Sequence, residues 1–167
     1  MDMPAFVRRH SRVRMSRAQW SEMTAELGRR AGGIRESGAF LLANVSDGRP
    51  VVRRVVYFDD LDPASLNGGV SLNSAAFAKL WRLASSQELH VIADVHTHPA
   101  NFVHQSAIDL ANPMVAMAGH VAIVVPHLAA RRLEPSDCGV HVYLGNHQWR
   151  ESLGRQALGL LYVGRWA

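Results

Sequence analysis

The sequence predicts an α+β domain, one central mixed β-sheet flanked by helices in layers. Three observations carry that prediction. Segments with helical apolar spacing alternate along the chain with segments of strand character, the pattern of helices packed on a sheet. The run His120–Val125 is apolar almost throughout, as a strand buried on both faces must be, and Pro126 ends it. The 167 residues, 48% apolar and 19% charged, are the size of a single domain with a real core.

The elements follow in order. Ser16 is placed to cap a helix over about Arg17–Arg30, with Gln19 completing a capping box. Trp20, Met23 and Leu27 form its apolar face, and Gly32–Gly33 stop it. Two strands are expected at Gly38–Val45 and Val51–Phe58, joined by the turn Ser46-Asp47-Gly48. Asp59–Gly69 reads as loop. A second helix starts near Ser74, with Phe77, Leu80, Trp81 and Ala84 as a core-facing stripe. A strand over His90–His98, a short helix from Ser106, the buried strand and a strand around Val140, Val142 and Leu144 complete the pattern. The last 20 or so residues read equally as helix or strand.

Residues 1–15 are expected to form a flexible basic arm and 16–167 one domain. The arm carries Arg8, Arg9, Arg12 and Arg14 of a chain whose net charge is +4. Arg8-Arg9 lacks the apolar stretch of an export signal, and no apolar run approaches the roughly 20 residues that span a bilayer, so a membrane partner is not expected. A basic arm can touch nucleic acid, but a solvated terminus is the commoner explanation. The single cysteine, Cys138, cannot form an intramolecular disulfide, which suits a reducing cytoplasm, the expected location.

Nine histidines direct attention to a metal site. In His96-Thr97-His98-Pro99 the two imidazoles lie two apart on a strand, and so on one face. In Ser106-Ala107-Ile108-Asp109 the first and last residues lie three apart on a helix and are neighbours. If the loop folds the helix against the strand end, His96, His98 and Asp109 converge. Two imidazoles and a carboxylate suit a catalytic zinc ion, whose fourth position stays free for water. A structural zinc site would draw on several cysteines, which this chain lacks. Each fragment alone has a plain explanation, two polar residues ending a strand or a serine N-cap. Glu36, ahead of the apolar Ala39-Phe40-Leu41-Leu42-Ala43, is the base such a site needs to move a proton between water and a leaving amine. On composition alone a solvated glutamate at a strand start is the simpler reading.

At these residues the chain resembles the JAMM (MPN or JAB) zinc metallopeptidases, and most of all their bacterial branch. The shared signature is an upstream Glu in a stretch like E-[ST]-G-G-x-L-x-G, then HxHP, then seven residues, then SxxD; here Pro99–Gln105 supply the seven. The match spans Glu36 to about Pro126. Ala39 and Ala43 stand where the family commonly has glycine. The resemblance implies an MPN/JAB fold with cytidine-deaminase-like layering and one Zn²⁺ per chain held by His96, His98 and Asp109. Glu36 would then be general acid/base, and Ser106 a donor to the water or the developing oxyanion. It implies a deubiquitinase-like hydrolase acting on a peptide or isopeptide bond at the C-terminal tail of a ubiquitin-like protein, with E1/E2-like proteins as further partners. Two other readings share the motif: a non-catalytic scaffold of the same fold, and a RadC-like nucleic-acid-associated protein. Relatives of the first kind usually lose a ligand, which this chain does not. The second would need a helix-hairpin-helix domain for which there is no room ahead of the motif.

Of the remaining residues, Asp94 shares a strand face with His96 and could orient it or form an ordinary salt bridge. His104 could line the cleft, though an exposed loop position is the commoner outcome. His90, His120, His127, His141 and His147 share no spacing and read as ordinary surface or hydrogen-bonded core residues. Asn112-Pro113 marks a break that could shape a cleft rim. Phe77 and Trp81 read as core.

Overall fold

A computed structural model describes residues 13–45 and 48–165. The chain forms β1 (Val13–Ser16), α1 (Arg17–Ala31), β2 (Gly38–Asn44), β3 (Val51–Tyr57), the single turn α2 (Phe58–Leu61), α3 (Ser74–Ser86) and β4 (His90–Thr97). Then come the short α4 (Ala107–Ala111), β5 (Val121–Val125), β6 (Gly139–Gly145), β7 (Gln148–Leu153) and β8 (Leu161–Gly164). The eight strands make one mixed sheet in the order β7-β6-β5-β4-β2-β3-β1-β8. β4 runs parallel to β5, and β1 runs parallel to both β3 and β8; the other neighbours are antiparallel. The fold is α+β, with helices on both faces of one sheet.

Local chemistry explains the elements. Ser16 caps α1 by accepting the Gln19 N–H, and Gly32 ends the helix at φ 58°, a left-handed position that glycine adopts at no steric cost. The expected capping box is only half formed. Gln19 spends its side-chain amide on the Val52 carbonyl instead, 3.1 Å away. Trp20, Met23 and Leu27 are buried on one face of the sheet, and the Trp20 indole donates to the Leu133 carbonyl.

The alternation of β2 shows how the two faces divide. Ala39 and Leu41 join the α1 core with Ala93, Val95, Val121, Ile123 and Val140, while Phe40 and Leu42 join the α3 core with Phe58, Leu80 and Ala84. Register carries the second face across the sheet. Val56 lies opposite Phe40, Phe40 opposite Asp94, Asp94 beside Ala122, Ala122 opposite His141 and His141 opposite Glu151. One row thus changes from apolar under α3 to ionisable beyond β4, where the loop 98–115 covers the sheet. The polar half holds the site.

Several expectations need correction. Arg14 and its neighbours Val13 and Met15 do not belong to an arm: they form β1, where Val13 and Met15 are buried and the Arg14 guanidinium lies 4.6 Å above the Tyr162 ring. Arg8, Arg9 and Arg12, and Ser46-Asp47 of the expected turn, lie outside the described residues. Trp81 is not core. The α3 contact runs through Ala76, Leu80 and Ala84, which places Trp81 on the flank with 41% of its surface exposed, while Phe77 is half-buried against Phe40. The ambiguous C-terminus resolves into β7, a 3₁₀ segment and β8, because hydrogen bonding to β6 and β1 decides what local propensity leaves open. No described helix is long and apolar enough to cross a membrane.

Candidate metal centre

The site is built at the end of β4. His96 and His98 point to the polar half of the second face, and both are buried. Thr97, between them, turns to the other side and is bonded to the chain before β2. Its hydroxyl accepts the Ser37 N–H at 2.9 Å, and its own N–H donates to the Ser37 carbonyl at 2.9 Å. The Ser37 hydroxyl donates in turn to the Leu27 carbonyl of α1. Gly38 pairs with His96 at the start of β2, so Glu36, two residues earlier, enters beside the end of β4. Glu36 is half-buried and lines the same cleft as His96 and Asp109.

Beyond β4 the backbone is held by a turn in unusual conformation. His98 donates its N–H to Val125 at 2.8 Å, Leu128 donates to His98 at 2.9 Å, and His127 donates to Ala100 at 2.6 Å. His127, Leu128, Ala129 and Ala100 all have φ between 50° and 57°, left-handed values that cost a side-chain-bearing residue about 1–2 kcal/mol each. Helix α1 seals this turn from behind. A Cβ on Gly28 would stand 2.5 Å from the Ala129 carbonyl oxygen, so only glycine permits the approach.

Asp109 arrives from α4. Ser106 caps this helix, accepting the Asp109 N–H at 3.2 Å, while Asp109 Oδ2 accepts the Ser106 N–H at 2.7 Å. The plain reading of Ser106 as an N-cap is therefore correct, and the full capping box it forms with Asp109 also aims the carboxylate. Asp109 Oδ2 lies 3.3 Å from His98 Nε2 and 3.7 Å from His96 Nε2, and the two Nε2 atoms are 3.1 Å apart. A tetrahedral ion with bonds of about 2.0–2.2 Å needs ligand atoms about 3.3–3.5 Å apart. The triangle fits. Among the described residues, these three are the one group of His, Cys, Asp or Glu whose ligand atoms, all within 4.8 Å of one another, could hold a metal ion.

No family model matches the chain. Solved structures do. The solution structure of a protein from Desulfitobacterium hafniense superposes with a TM-score of 0.61 at 16% identity, covering 90% of this chain and 92% of that one. Another, from Salinibacter ruber, gives a TM-score of 0.56 at 17% identity over 83% and 88% of the two chains. They share its fold. A crystal structure of a JAB1/MPN domain protein from Archaeoglobus fulgidus aligns over 92% of this chain and 98% of that one, at 16% identity and a TM-score of 0.46.

Electrostatics mark the cluster as a place for a cation. Burial opposes ionisation of Asp109, yet the imidazoles of His96 and His98 hold its pKa far below the usual carboxylate value. Burial likewise opposes charge on Asp94, and His120 and His96 outweigh it. His96, despite burial that disfavours its charged form, is raised to about 9 by the Asp109 and Asp94 carboxylates beside it. The cleft encloses about 390 Å³ and is also lined by Ser106, Ile108, Asn112, Pro113 and Trp149.

His104 is half-exposed and lies outside the cleft, its Nδ1 2.8 Å from Glu151 Oε2. Phe102 stacks on the His98 ring at 5.6 Å. Sequence reasoning missed Thr97 and Ser37 as the clamp behind Glu36. His120 is a hydrogen-bonded core residue, one of the two expectations for it, but its partner went unforeseen: its Nε2 lies 2.7 Å from Asp94 Oδ1. The signal for His120, just before β5, is its alternation with Ala122 and Val124, but it becomes readable only once β5 is known to lie beside β4.

Proposed function

We propose that the protein is a zinc-dependent peptidase or isopeptidase of the JAMM type, acting at the C-terminal tail of a ubiquitin-like protein. One observation carries the reading: His96, His98 and Asp109 converge with ion-sized spacing in a cleft that Glu36 also lines. The HxHP and SxxD spacing from Pro99 to Gln105 supports it from the sequence side.

The donor set of two neutral imidazoles and one carboxylate fits zinc and leaves a position open. When bound, the ion would act as a Lewis acid on the scissile carbonyl and lower the pKa of a water molecule towards about 7. The remaining work belongs to the chain. Glu36 accepts the proton of the attacking water and returns it to the leaving nitrogen, so the bond breaks without a covalent intermediate. Ser106 keeps its hydroxyl hydrogen free for the substrate oxygen, because its oxygen accepts the Asp109 N–H. Cys138, buried and bonded only weakly to Glu134, takes no part. E1/E2-like proteins are proposed as companions of the substrate.

Glu36→Gln tests the assignment. Assayed on a ubiquitin-like protein extended at its C-terminus and on its isopeptide conjugate, it should lose about 10²–10⁴-fold in rate, the usual contribution of a positioned acid/base. Its metal content should stay that of the wild type. A wild type that binds zinc and cleaves neither substrate would return the chain to the scaffold reading.

A further inference from the structure

We propose that Asp94 and His120 are positioning residues for the metal ligand His96, fixing which nitrogen it offers. The proposal rests on the metal-site reading above. Asp94 and His120 are 2% and 5% exposed, so their polar atoms must find protein partners. The Asp94 carboxylate divides its oxygens between two rings: Oδ1 is 2.7 Å from His120 Nε2, and Oδ2 is 3.6 Å from His96 Nδ1. His96 Nε2 faces away, towards His98 and Asp109. Its two nitrogens thus meet different chemistry, a lone carboxylate on one side and the ligand triangle on the other.

This geometry decides the tautomer. A carboxylate accepts hydrogen bonds and donates none, so it favours the proton on Nδ1 and leaves the Nε2 lone pair for the ion. At 3.6 Å the contact is longer than a hydrogen bond, so the carboxylate acts on Nδ1 through its charge.

His120 keeps the carboxylate in place. Its own position is set by backbone bonds on both sides, its N–H donating to Met117 at 3.0 Å and its carbonyl accepting from Tyr143 at 2.9 Å. The order is therefore sheet, His120, Asp94, His96, ion. His98 has no such support. Its Nδ1 is buried without a partner among the described residues, and its ring is steadied by Phe102 stacking instead. One ligand is oriented by charge and the other by packing.

The test is zinc affinity by chelator competition, with the visible spectrum of the cobalt-loaded protein as reporter of ligand geometry and metal-free melting as reporter of fold. Asp94→Asn keeps an oxygen for His120 but can turn an N–H₂ group towards Nδ1. It should bind zinc about 10–100-fold more weakly and shift the cobalt spectrum. His120→Ala should weaken binding in the same direction, and His120→Gln, whose amide N–H reaches similarly, should restore it. If Asp94→Asn prevents folding, the His120→Ala and His120→Gln pair decides alone. Variants that bind zinc as tightly as the wild type, with an unchanged cobalt spectrum, would overturn the positioning role and leave the metal site standing. A wild type that binds no zinc would overturn both.

Discussion

Gly38 is the residue on which the site's geometry can be tested by adding one methyl group. It opens β2, pairs with His96 and stands two residues after Glu36. A Cβ there would lie 2.8 Å from the Val95 carbonyl oxygen and closer still to the Phe58 ring. The first is backbone within the β2–β4 ladder and cannot retreat without stretching it. Overpacking of this kind typically costs about 1–3 kcal/mol, and alanine recovers about 0.5–1 kcal/mol of it by restricting the unfolded chain. A net loss of about 1 kcal/mol at this chain length lowers the melting temperature by about 2–4 °C. The accompanying shift of Glu36 should depress turnover by up to about 10²-fold, since displacements near 1 Å suffice. Thermal unfolding of Gly38→Ala beside Gly159→Ala, whose added Cβ meets nothing within 4 Å, isolates the clash from the change of residue type. Equal melting temperatures for Gly38→Ala and wild type would refute the packing argument.

Other consequences can be measured independently. Ala100 is exposed at φ 50°, so Ala100→Gly sheds left-handed strain without losing packing and should stabilise the fold by about 0.5–1 kcal/mol in denaturant titration; a loss of stability would contradict the strain. Burial pushes the Cys138 thiol well up, so iodoacetamide at pH 8 should leave it unmodified in the native protein and alkylate it in guanidinium. Native labelling would show the core to be looser than described. In the metal-free protein His96 is raised to about 9, above its unfolded value. Its contribution to metal-free stability is therefore full below the unfolded pKa and lost as pH rises through 9. Zinc must displace that proton, so affinity should rise about tenfold per pH unit between pH 7 and 9, with proton release visible in buffers of different ionisation enthalpy. A flat profile would place the proton elsewhere.

Much of this was legible from residue order because the signals were local. Ser16 and Gly32 mark the ends of α1, and the unbroken apolar run Ala39–Ala43 marks a strand buried on both sides. The spacing from His96 to Asp109 encodes a strand end and a capping box that the chain folds into one corner. What stayed hidden depends on pairing between distant segments. Nothing local places β1 between β3 and β8, so Val13–Met15 read as the end of a basic arm. Trp81 fits the helical stripe on spacing, yet the sheet beneath α3 is reached through Ala76, Leu80 and Ala84. His120 becomes Asp94's partner only when β5 settles parallel to β4. Ser106 shows the opposite case: the plain capping explanation holds, and the same two hydrogen bonds aim the Asp109 carboxylate at the imidazoles.

The account turns on one ion held by three side chains, and elemental analysis measures that directly. Wild-type protein purified without chelator should carry zinc at about one equivalent per chain, and Asp109→Ala should carry little while keeping its secondary structure. A folded wild type without bound metal after zinc is supplied, or an Asp109→Ala variant that retains a full equivalent, would contradict it.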